Sequence, residues 1–395
     1  MREAVIVSGV RTAGGKAPKG TLKDTRPEFL TKIVMQEAIK RAGGKFKAEM
    51  IEDIIWGCST PEQSCGMNMA RTSSIYADIP YTVPSTTVNR FCSSGLQAIG
   101  QAAEAIVANR TDIMMAGGTE SMSMVPMGGI VRPNNEMALD PFWATVYTSM
   151  GQTAEHVATR YGISREEQDA LGVKSNANAL AAKDKFKEEI VPVPVKVTTL
   201  GADGKPVTKT IMYDYDEGAR PGTTMESLGK LKGAFVPGGS VTAGNSSQTT
   251  DGSAGVILMT PEKAKELDCK PRLKFVGWSV AGCKPDEMGV GPKYAIPMAL
   301  KRAGLTLNDI GLIELNEAFA SQAIYCMREL NINPDIVNVN GGAIAIGHPL
   351  GCTGAKLTVT LMHEMERRNV KYGIVSMCIG GGMGACGIFE NLSFK

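Results

Sequence analysis

Four short segments from the first third of the chain recur in its last third, in the same order and at nearly constant spacing. The clearest pair is Ala38–Gly43 and Ala299–Gly304, which both end in Arg-Ala-Gly. The matching pairs are residues 38–43 with 299–304, 54–56 with 312–315, 92–95 with 351–354, and 113–118 with 374–382. Chance similarity among common α/β patterns is the alternative explanation. Four matches in one order favour a duplicated domain, which restricts the fold to two similar halves.

Each half alternates apolar strands with helices, which indicates an α/β fold with buried central strands. Between the halves, a polar helix near 165–185 and a charged, glycine-containing stretch at 198–232 break this alternation. A chain of 395 residues is long enough for two or three packed domains. The sequence therefore predicts an N-terminal half at 1–120 together with 246–270, an inserted loop domain at 121–245, and a C-terminal half at 271–395.

The charge pattern and the cysteine pattern exclude several classes of protein. A formal net charge of +2 provides no global basic field for nucleic acid. No segment approaches the roughly 18 apolar residues of a membrane span, and the N-terminus enters an apolar strand without a signal peptide. The nine cysteines are scattered, form no Cys-x-x-Cys pair and favour neither zinc nor a disulfide scaffold. We expect a cytoplasmic protein with reduced thiols and no metal.

Cys92 stands in Asn-Arg-Phe-Cys-Ser-Ser-Gly, where small residues lead into a predicted alanine-rich helix at 95–108. A thiol at a helix N-terminus faces unpaired backbone N–H groups and the positive end of the helix dipole, and both stabilise the thiolate. Cysteine is also common as a buried structural residue. The local sequence therefore leaves a nucleophile and a structural cysteine equally open.

His348 is one of three histidines and lies in a Gly-His-Pro sequence among glycines. Imidazole is the side chain best matched to moving protons near neutral pH. The other two, His156 and His363, lie in polar, helix-like segments, so we expect them at the surface. His348 is the candidate acid or base, although a single histidine is more often structural.

Cys378 and Asn316 each follow a predicted buried strand. Cys378 precedes Gly380–Gly382, whose successive N–H groups can hold a developing oxyanion, although a tight turn also requires glycine. Asn316 follows the strand at 312–315. Its amide can orient a water or cap the next helix, and capping is the commoner role.

Taken together, these segments resemble the thiolases over essentially the full length of the chain. The motifs are Asn89–Gly95 (NRFCSSG), Gly117–Ser123 (GGTESMS), Asn316–Ala320 (NEAFA), Gly347–Pro349 (GHP) and Cys378–Gly382 (CIGGG). The resemblance is specific because separate loops occur in the family's order and spacing. It implies the thiolase fold: two duplicated βαβαβαββ halves in a layered α-β-α-β-α core, with an inserted loop domain that binds coenzyme A. It also implies a homodimer or a homotetramer.

The resemblance assigns a role to each candidate. Cys92 would be the nucleophile that attacks the 3-keto carbon of a 3-ketoacyl-CoA, activated by His348. Cys378 would protonate the departing acetyl-CoA enolate and then deprotonate the incoming coenzyme A. His348 and a water held by Asn316 would stabilise the thioester oxygen, and the N–H groups of Cys92 and Gly380 would form a second oxyanion hole. Coenzyme A is then a substrate, and no metal or redox cofactor is implied.

The resemblance also places contacts with coenzyme A, mostly in or beside the inserted segment. The positions that match nucleotide and pantetheine contacts are Arg220, Ser227 and Ser247, with Phe235 near the adenine. The positions that match the lining of the pantetheine tunnel and the thioester end are Met150, Met288, Ala318 and Phe319. Methionine and phenylalanine are more often core residues and arginine is usually a solvated charge, so each position also has a structural explanation.

Within the family, residues 244–252 and 347–354 resemble degradative 3-ketoacyl-CoA thiolases. Ser149 stands where short-chain enzymes commonly carry histidine, which weakens the alternative of a biosynthetic acetoacetyl-CoA thiolase without specifying an acyl length.

A decarboxylating condensing enzyme would combine its cysteine with two histidines, or with histidine and asparagine, and Cys378 argues against it. A non-catalytic acyl-CoA-binding relative would be expected to lose catalytic positions, and none is lost. The resemblance also raises a hydratase–dehydrogenase subunit of β-oxidation as a partner, although the sequence indicates no surface for it.

Overall fold

The computed structural model describes residues 2–200 and 203–395. Its helices are α1 Pro27–Ala42, α2 Met69–Tyr76, α3 Ser94–Val107, α4 Asn135–Leu139, α5 Met150–Arg160, α6 Arg165–Ala181, α7 Met225–Gly229, α8 Pro261–Glu266, α9 Gly291–Ala303, α10 Ala320–Glu329, α11 Ala343–Ile346 and α12 Leu350–Arg368. Its strands are β1 Val5–Arg11, β2 Gly15–Lys16, β3 Asp53–Gly57, β4 Ser85–Val88, β5 Ile113–Ser121, β6 Val193–Leu200, β7 Pro206–Tyr213, β8 Thr250–Met259, β9 Leu273–Gly282, β10 Ile310–Leu315, β11 Tyr372–Ile379 and β12 Met383–Asn391. None of the helices in these two ranges is long and apolar enough to cross a membrane.

One ten-stranded sheet runs through both halves in the order β10-β11-β12-β9-β1-β8-β5-β3-β4, with β2 beside β8. Strands connected through a helix are parallel, as in β3 with β5 and β10 with β11. Strands β8 and β12 run antiparallel to their neighbours. The halves join through β1 and β9, where Val5 pairs with Lys274 and Ile6 with Leu273. Through these two residue pairs, the sheets of the two halves, which form the two predicted β layers, become one continuous sheet.

The duplication predicted from the sequence is confirmed element by element. The first half runs β1-α1-β3-α2-β4-α3-β5-β8, and the second runs β9-α9-β10-α10-α12-β11-β12 with short additions. The second-half counterpart of β4 is reduced to a bridge between Ile313 and Val337. The four repeated sequence segments fall in α1 and α9, β3 and β10, α3 and α12, and β5 and β11. The βαβαβαββ order therefore holds in the first half, and the second half keeps it with its third strand reduced to this bridge.

Helices α3 and α12 form the central layer of the molecule. Eleven of the 14 residues of α3 are buried, and α12 is buried without interruption from Leu350 to Met365. A helix that buries its whole circumference belongs in the interior. The largest apolar cluster joins both helices to strands of both halves, and two further clusters lie under α1 and α2 and under α9 and α10. The predicted α-β-α-β-α order is confirmed.

The two central helices cross at glycines. A Cβ atom on Gly95 would lie 2.7 Å from the backbone nitrogen of Ala355, and one on Gly354 would lie 2.2 Å from that of Leu96. Backbone atoms cannot rotate aside as a side chain can, so a larger residue at either position must separate the helices. The close crossing brings the N-termini of α3 and α12 together, and the loops before them carry Cys92 and His348.

Arg11 attaches the inserted segment to the first half. Its guanidinium donates to a carboxylate oxygen of Glu189 at 2.6 Å and to both carboxylate oxygens of Asp216 at 2.8 and 2.9 Å. The guanidinium also lies 5.0 Å from the centre of the Phe186 ring. Because Arg11 is fully buried, these two carboxylates supply the pairing that a buried charge requires. The limits of the inserted domain at 121 and 245 stay a prediction.

We predict that Gly354→Ala destabilises the protein by about 1–2 kcal/mol net, because the added methyl group must displace the backbone of Leu96, which places the cost in the upper part of the roughly 1–3 kcal/mol range for overpacking. This cost exceeds the roughly 1 kcal/mol that alanine gains over glycine in a helix. Urea unfolding measures the difference. Gly277→Ala is the matched control, since a Cβ atom at Gly277 meets nothing within 4 Å. Equal unfolding free energies for the two variants would contradict the tight crossing.

Candidate active site

Cys92 lies in a strained turn immediately before α3. Phe91 has a φ of +43°, in the left-handed region that residues other than glycine rarely adopt. The turn is held because Phe91 donates its N–H to Oδ1 of Asn89 at 2.8 Å and accepts from the Ser94 hydroxyl at 2.7 Å. The thiol is therefore presented at the start of the helix, as the sequence predicts, and only 6% of the residue is exposed.

Burial raises the pKa of the Cys92 thiol to about 11, against hydrogen bonds from the backbone N–H groups of Gly380 and of Cys92 itself. The backbone N–H groups lower the pKa of Cys92, in the direction that the sequence analysis expects, but desolvation by burial outweighs them. A thiol in this state is a strong nucleophile only when a base removes its proton. The two N–H groups directed at the sulfur are those predicted for an oxyanion hole.

Both ring nitrogens of His348 have a defined partner. Nδ1 lies 2.6 Å from Oγ1 of Thr353, and the Thr353 hydroxyl donates to the carbonyl of Pro349 at 3.1 Å. Because that hydroxyl proton is engaged with Pro349, Nδ1 carries the ring proton and donates it to Thr353. Nε2 is then unprotonated, and it lies 3.3 Å from Nδ2 of Asn316, which donates to it.

The imidazole of His348 is held neutral. Burial, and secondarily the charge of Lys356, lower its pKa to about 3. A neutral ring with a lone pair at Nε2 is the form that a general base requires. His363 was expected at the surface, and this is wrong: it is buried in the central helix α12, and burial lowers its pKa to about 3 as well. The side chain of His156 is 42% exposed, in agreement with the expectation for it.

Asn316 directs an unpaired oxygen into the site. The residue is buried just after β10, and its Oδ1 has no hydrogen-bond partner in the described part of the chain. Leaving a buried acceptor unpaired costs about 1–3 kcal/mol, so this oxygen is suited to receive a hydrogen from a water or a ligand. The capping alternative is excluded, because α10 begins at Ala320 after Phe319, without a side-chain cap.

Cys378 is completely buried near the end of β11. Burial raises the pKa of its thiol well above the usual range, and the nearby Cys92 thiol acts in the same direction. The chain then turns through Gly381 and Gly382, with φ of +78° and +86°. These conformations favour glycine, and the turn directs the N–H of Gly380 towards Cys92.

Glu120 connects the two halves at the site, and the sequence analysis assigned it no role. Its buried carboxylate accepts the N–H groups of Ser59 at 2.7 Å, Thr60 at 3.1 Å and Gly351 at 2.8 Å. The first two follow β3, and the third begins α12. A carboxylate inside a buried, glycine-rich strand was the available signal, because such a group needs several donors.

Cys58, Cys65 and Glu120 form the one group of potential metal ligands among the described residues, with their ligand atoms within 4.8 Å of one another. Both oxygens of the carboxylate already accept backbone N–H groups. A metal ion would have to compete with these donors for the same lone pairs. The arrangement is therefore that of a structural carboxylate beside two thiols.

Most of the predicted coenzyme A residues converge on Cys378. Met150, Met288, Ala318 and Phe319 share one apolar cluster with it. Ser247 donates its N–H to the carbonyl of Ala318 at 3.0 Å. Phe235 packs edge-on against Phe319, with ring centres 5.9 Å apart, and remains 42% exposed. The five apolar residues form a wall that extends from the exposed Phe235 ring to Cys378, with Ser247 at its edge.

Arg220 and Ser227 lie farther out on the inserted segment, and both are exposed. Arg220 lines a narrow cleft together with Leu228, the neighbour of Ser227, and Gly244. The Ser227 hydroxyl donates to the carbonyl of Thr224 at 2.9 Å within the cap of α7. The structure does not bring these two residues to the thiols, and their contacts with a nucleotide stay a prediction.

The chain is similar to proteins of one family along its whole length. Two family models match it: Thiolase, N-terminal domain, over residues 4–262, and Thiolase, C-terminal domain, over residues 269–391. The 3-ketoacyl-CoA thiolase of Bacillus subtilis (strain 168) is 58% identical over 393 residues, which cover 99% of this chain and 100% of that protein.

Solved structures show the same similarity in three dimensions. The Bacillus anthracis acetyl-CoA acetyltransferase has a TM-score of 0.88 and 39% identity, over 99% of both chains. The dimeric peroxisomal thiolase of Saccharomyces cerevisiae has a TM-score of 0.87 and 38% identity, over 99% of this chain and 97% of that one. The similarity therefore includes both halves and the inserted segment.

We predict that Thr353→Val slows alkylation of Cys92 by iodoacetamide at pH 7 by about tenfold or more, because the imidazole loses the partner that fixes its basic nitrogen. Mass spectrometry of the Cys92 peptide measures the rate. Thr358→Val is the matched control, since its buried hydroxyl donates to the carbonyl of Gly354 within the same helix and does not contact His348. The tautomer argument fails if both variants react at the same rate.

Proposed function

Because this chain belongs to the thiolase family, we propose that it is an acyltransferase that cleaves 3-ketoacyl-CoA with coenzyme A through an acyl-Cys92 intermediate. The products are acetyl-CoA and an acyl-CoA shortened by two carbons, as in fatty acid β-oxidation. The observation that carries the proposal is the close crossing of α3 and α12, which brings together the loops that carry Cys92 and His348, with the buried thiol of Cys378 near that of Cys92. The reverse reaction is a Claisen condensation.

In the first half-reaction, Nε2 of His348 gives up its hydrogen bond from Asn316 and takes the proton of the Cys92 thiol as the sulfur attacks the 3-keto carbon. The N–H groups of Cys92 and Gly380 stabilise the oxyanion that forms on this carbon. The C2–C3 bond then breaks and acetyl-CoA leaves as an enolate. Its thioester oxygen is stabilised by the protonated Nε2 of His348 and by a water held at Oδ1 of Asn316. Cys378 protonates the enolate carbon.

In the second half-reaction, the Cys378 thiolate takes the proton of the incoming coenzyme A. The coenzyme A thiolate attacks the thioester on Cys92, and the shortened acyl-CoA is released. The departing Cys92 sulfur recovers its proton from His348. Burial supports this role of Cys378, because a thiol with a raised pKa gives a strongly basic thiolate. Each proton has a donor and an acceptor among these groups, so we propose a reaction without a metal or redox cofactor.

We propose that pantetheine lies along the apolar wall of Met150, Met288, Ala318 and Phe319, with Ser247 at its edge. The exposed face of Phe235 is suited to stack on the adenine. Arg220 and Ser227 then meet the nucleotide, because an exposed guanidinium and a hydroxyl are ordinary partners of phosphate groups. Coenzyme A would in this way enter along the inserted segment and reach the thiols with its sulfur.

We further propose a homodimer in the cytoplasm. The dimeric yeast relative supports the dimer, and so does the end strand β4 of the sheet. Met67 and Tyr81, in the segments before β4, are 89% and 79% exposed, and an unpaired edge strand with apolar neighbours favours pairing with another chain. A homotetramer and a hydratase–dehydrogenase partner stay predictions.

The proposed function is tested by acetyl transfer to the protein. Incubation with acetyl-CoA should add one acetyl group, and mass spectrometry should find it on the Cys92 peptide. Cys92→Ser should abolish turnover, because a serine hydroxyl ionises far less readily than even a buried thiol of pKa about 11. Acetyl found on a different cysteine would refute the assignment.

Cys378→Ser separates the two proton-transfer roles. Serine is too weak an acid and too poor a base for this position, so thiolysis turnover should fall by about 100-fold or more. The variant should still accept acetyl on Cys92, and thermal melting controls for its fold. Near-normal thiolysis by Cys378→Ser would show that His348 or a water carries the proton.

A second candidate is a biosynthetic acetoacetyl-CoA thiolase, favoured by the high TM-score to an acetyl-CoA acetyltransferase. We predict instead that substrates longer than four carbons are cleaved, from the degradative-type segments around Ser247 and His348. Thiolysis rates across 3-ketoacyl-CoA chain lengths measure the difference. Strong activity on acetoacetyl-CoA with almost none on six- to ten-carbon substrates would favour the second candidate.

A further inference from the structure

Lys356 is a buried lysine bound to the loop that carries His348. It lies on α12, is 2% exposed, and donates from Nζ to the carbonyl oxygens of Ile346 at 2.6 Å and Gly347 at 3.0 Å. These are the two residues before His348. An ammonium group with two carbonyl partners holds both peptide units more strongly than neutral donors would.

The same loop is held from its other side by the strand segment before β8. The backbone N–H of His348 lies 3.0 Å from both the carbonyl of Gln248 and the hydroxyl of Thr250. Gly347 has a φ of +81°, and a Cβ atom there would lie 2.2 Å from Oγ1 of Thr250. The loop is therefore held between Thr250 on one side and the Lys356 ammonium on the other, with little space to move towards either.

Six ionisable groups influence or face Lys356 from the elements packed around it. Arg11 comes from β1, Glu189 and Asp216 from the inserted segment, Glu314 from β10, and Cys352 and His348 from α12 and the loop before it. The positively charged side chains of Lys356 and Arg11 face two carboxyl groups, those of Glu189 and Asp216. Burial raises the pKa of Glu314 well above its usual range, and both of its oxygens are unpartnered among the described residues. Burial, opposed by the Asp216 carboxylate, lowers the pKa of Lys356 to about 8.

We propose that Lys356 is a positioning residue for His348: by binding the carbonyl groups of Ile346 and Gly347, it fixes the loop that holds Nε2 against Asn316. The proposal deepens the proposed function, since it rests on His348 acting as the base. It gives a reason for a lysine in the central layer, where an apolar side chain would meet less desolvation cost.

The charge of Lys356 has a second, measurable effect on His348. A nearby cation disfavours protonation of an imidazole, and Lys356 acts in this way together with burial. Removing the charge raises the pKa of His348 from its value of about 3. Because only the neutral ring is a base, activity is lost as the pH falls through that pKa. The acid limb of the rate profile must therefore move to higher pH when the charge is removed.

The test uses Lys356→Met in the full-length enzyme. We expect kcat for thiolysis to fall by about 10- to 100-fold, as for a misplaced catalytic group, while KM stays within about twofold. Acetylation of Cys92 by acetyl-CoA should slow by a similar factor, and its acid limb should move to higher pH. Unchanged kcat together with an unchanged acid limb would overturn the proposal.

Lys185→Met is the matched control, because Lys185 donates to Oδ1 of Asn340 in the same segment at 3.1 Å without contacting either carbonyl. It should keep kcat and the acid limb of the wild type, and a loss equal to that of Lys356→Met would overturn the proposal. If thermal melting shows that Lys356→Met does not fold, Lys356→Gln replaces it, with the same expected shift of the acid limb and the same overturning result. Failure of the wild type to accept acetyl on Cys92 would refute the proposed function instead.

Discussion

Helices α3 and α12 cross at glycines, which have no side chain to separate the backbones, and the rest of the structure depends on this contact. Gly95 and Gly354 let the two backbones approach to distances that a Cβ atom would forbid. Each helix comes from a different half and is buried between strands of both. Their N-termini meet because of this crossing, so a loop from each half can contribute one reacting group. Duplication of the fold thereby produces one site with two unlike contributions, a thiol and an imidazole.

Burial determines the charge state of this site. It raises the pKa of Cys92 to about 11 and lowers that of His348 to about 3, so the resting pair is a neutral thiol and a neutral imidazole. An ion pair would have to be desolvated at considerable cost before any substrate arrived. With neutral partners, charge develops only during reaction, when the N–H groups of Cys92 and Gly380 can stabilise it. The unpaired side-chain oxygen of Asn316 adds an acceptor that is already in place before the reaction begins.

Buried ionic groups connect the three parts of the chain around the helix crossing. Glu120 binds N–H groups of both halves, Arg11 binds two carboxylates of the inserted segment, and Lys356 binds the loop before His348. Buried polar groups lose their hydrogen bonds to water on folding. Each of these three side chains replaces them with several hydrogen bonds inside the protein. They position loops that apolar contacts alone would leave less defined, since hydrogen bonds are directional.

The sequence by itself determined the duplicated α/β architecture. The spacing of the repeated segments, the apolar composition of the strands and the glycines at helix ends can all be read directly along the chain. It also indicated the family, since the thiolase motifs stand in one order in the chain. Only the tertiary structure decided the join of β1 to β9, the burial of His363, the role of Glu120 and the protonation of Cys92. Each of these depends on which distant segments pack together. Desolvation is a property of the surrounding atoms, and those atoms come from residues far apart in the chain.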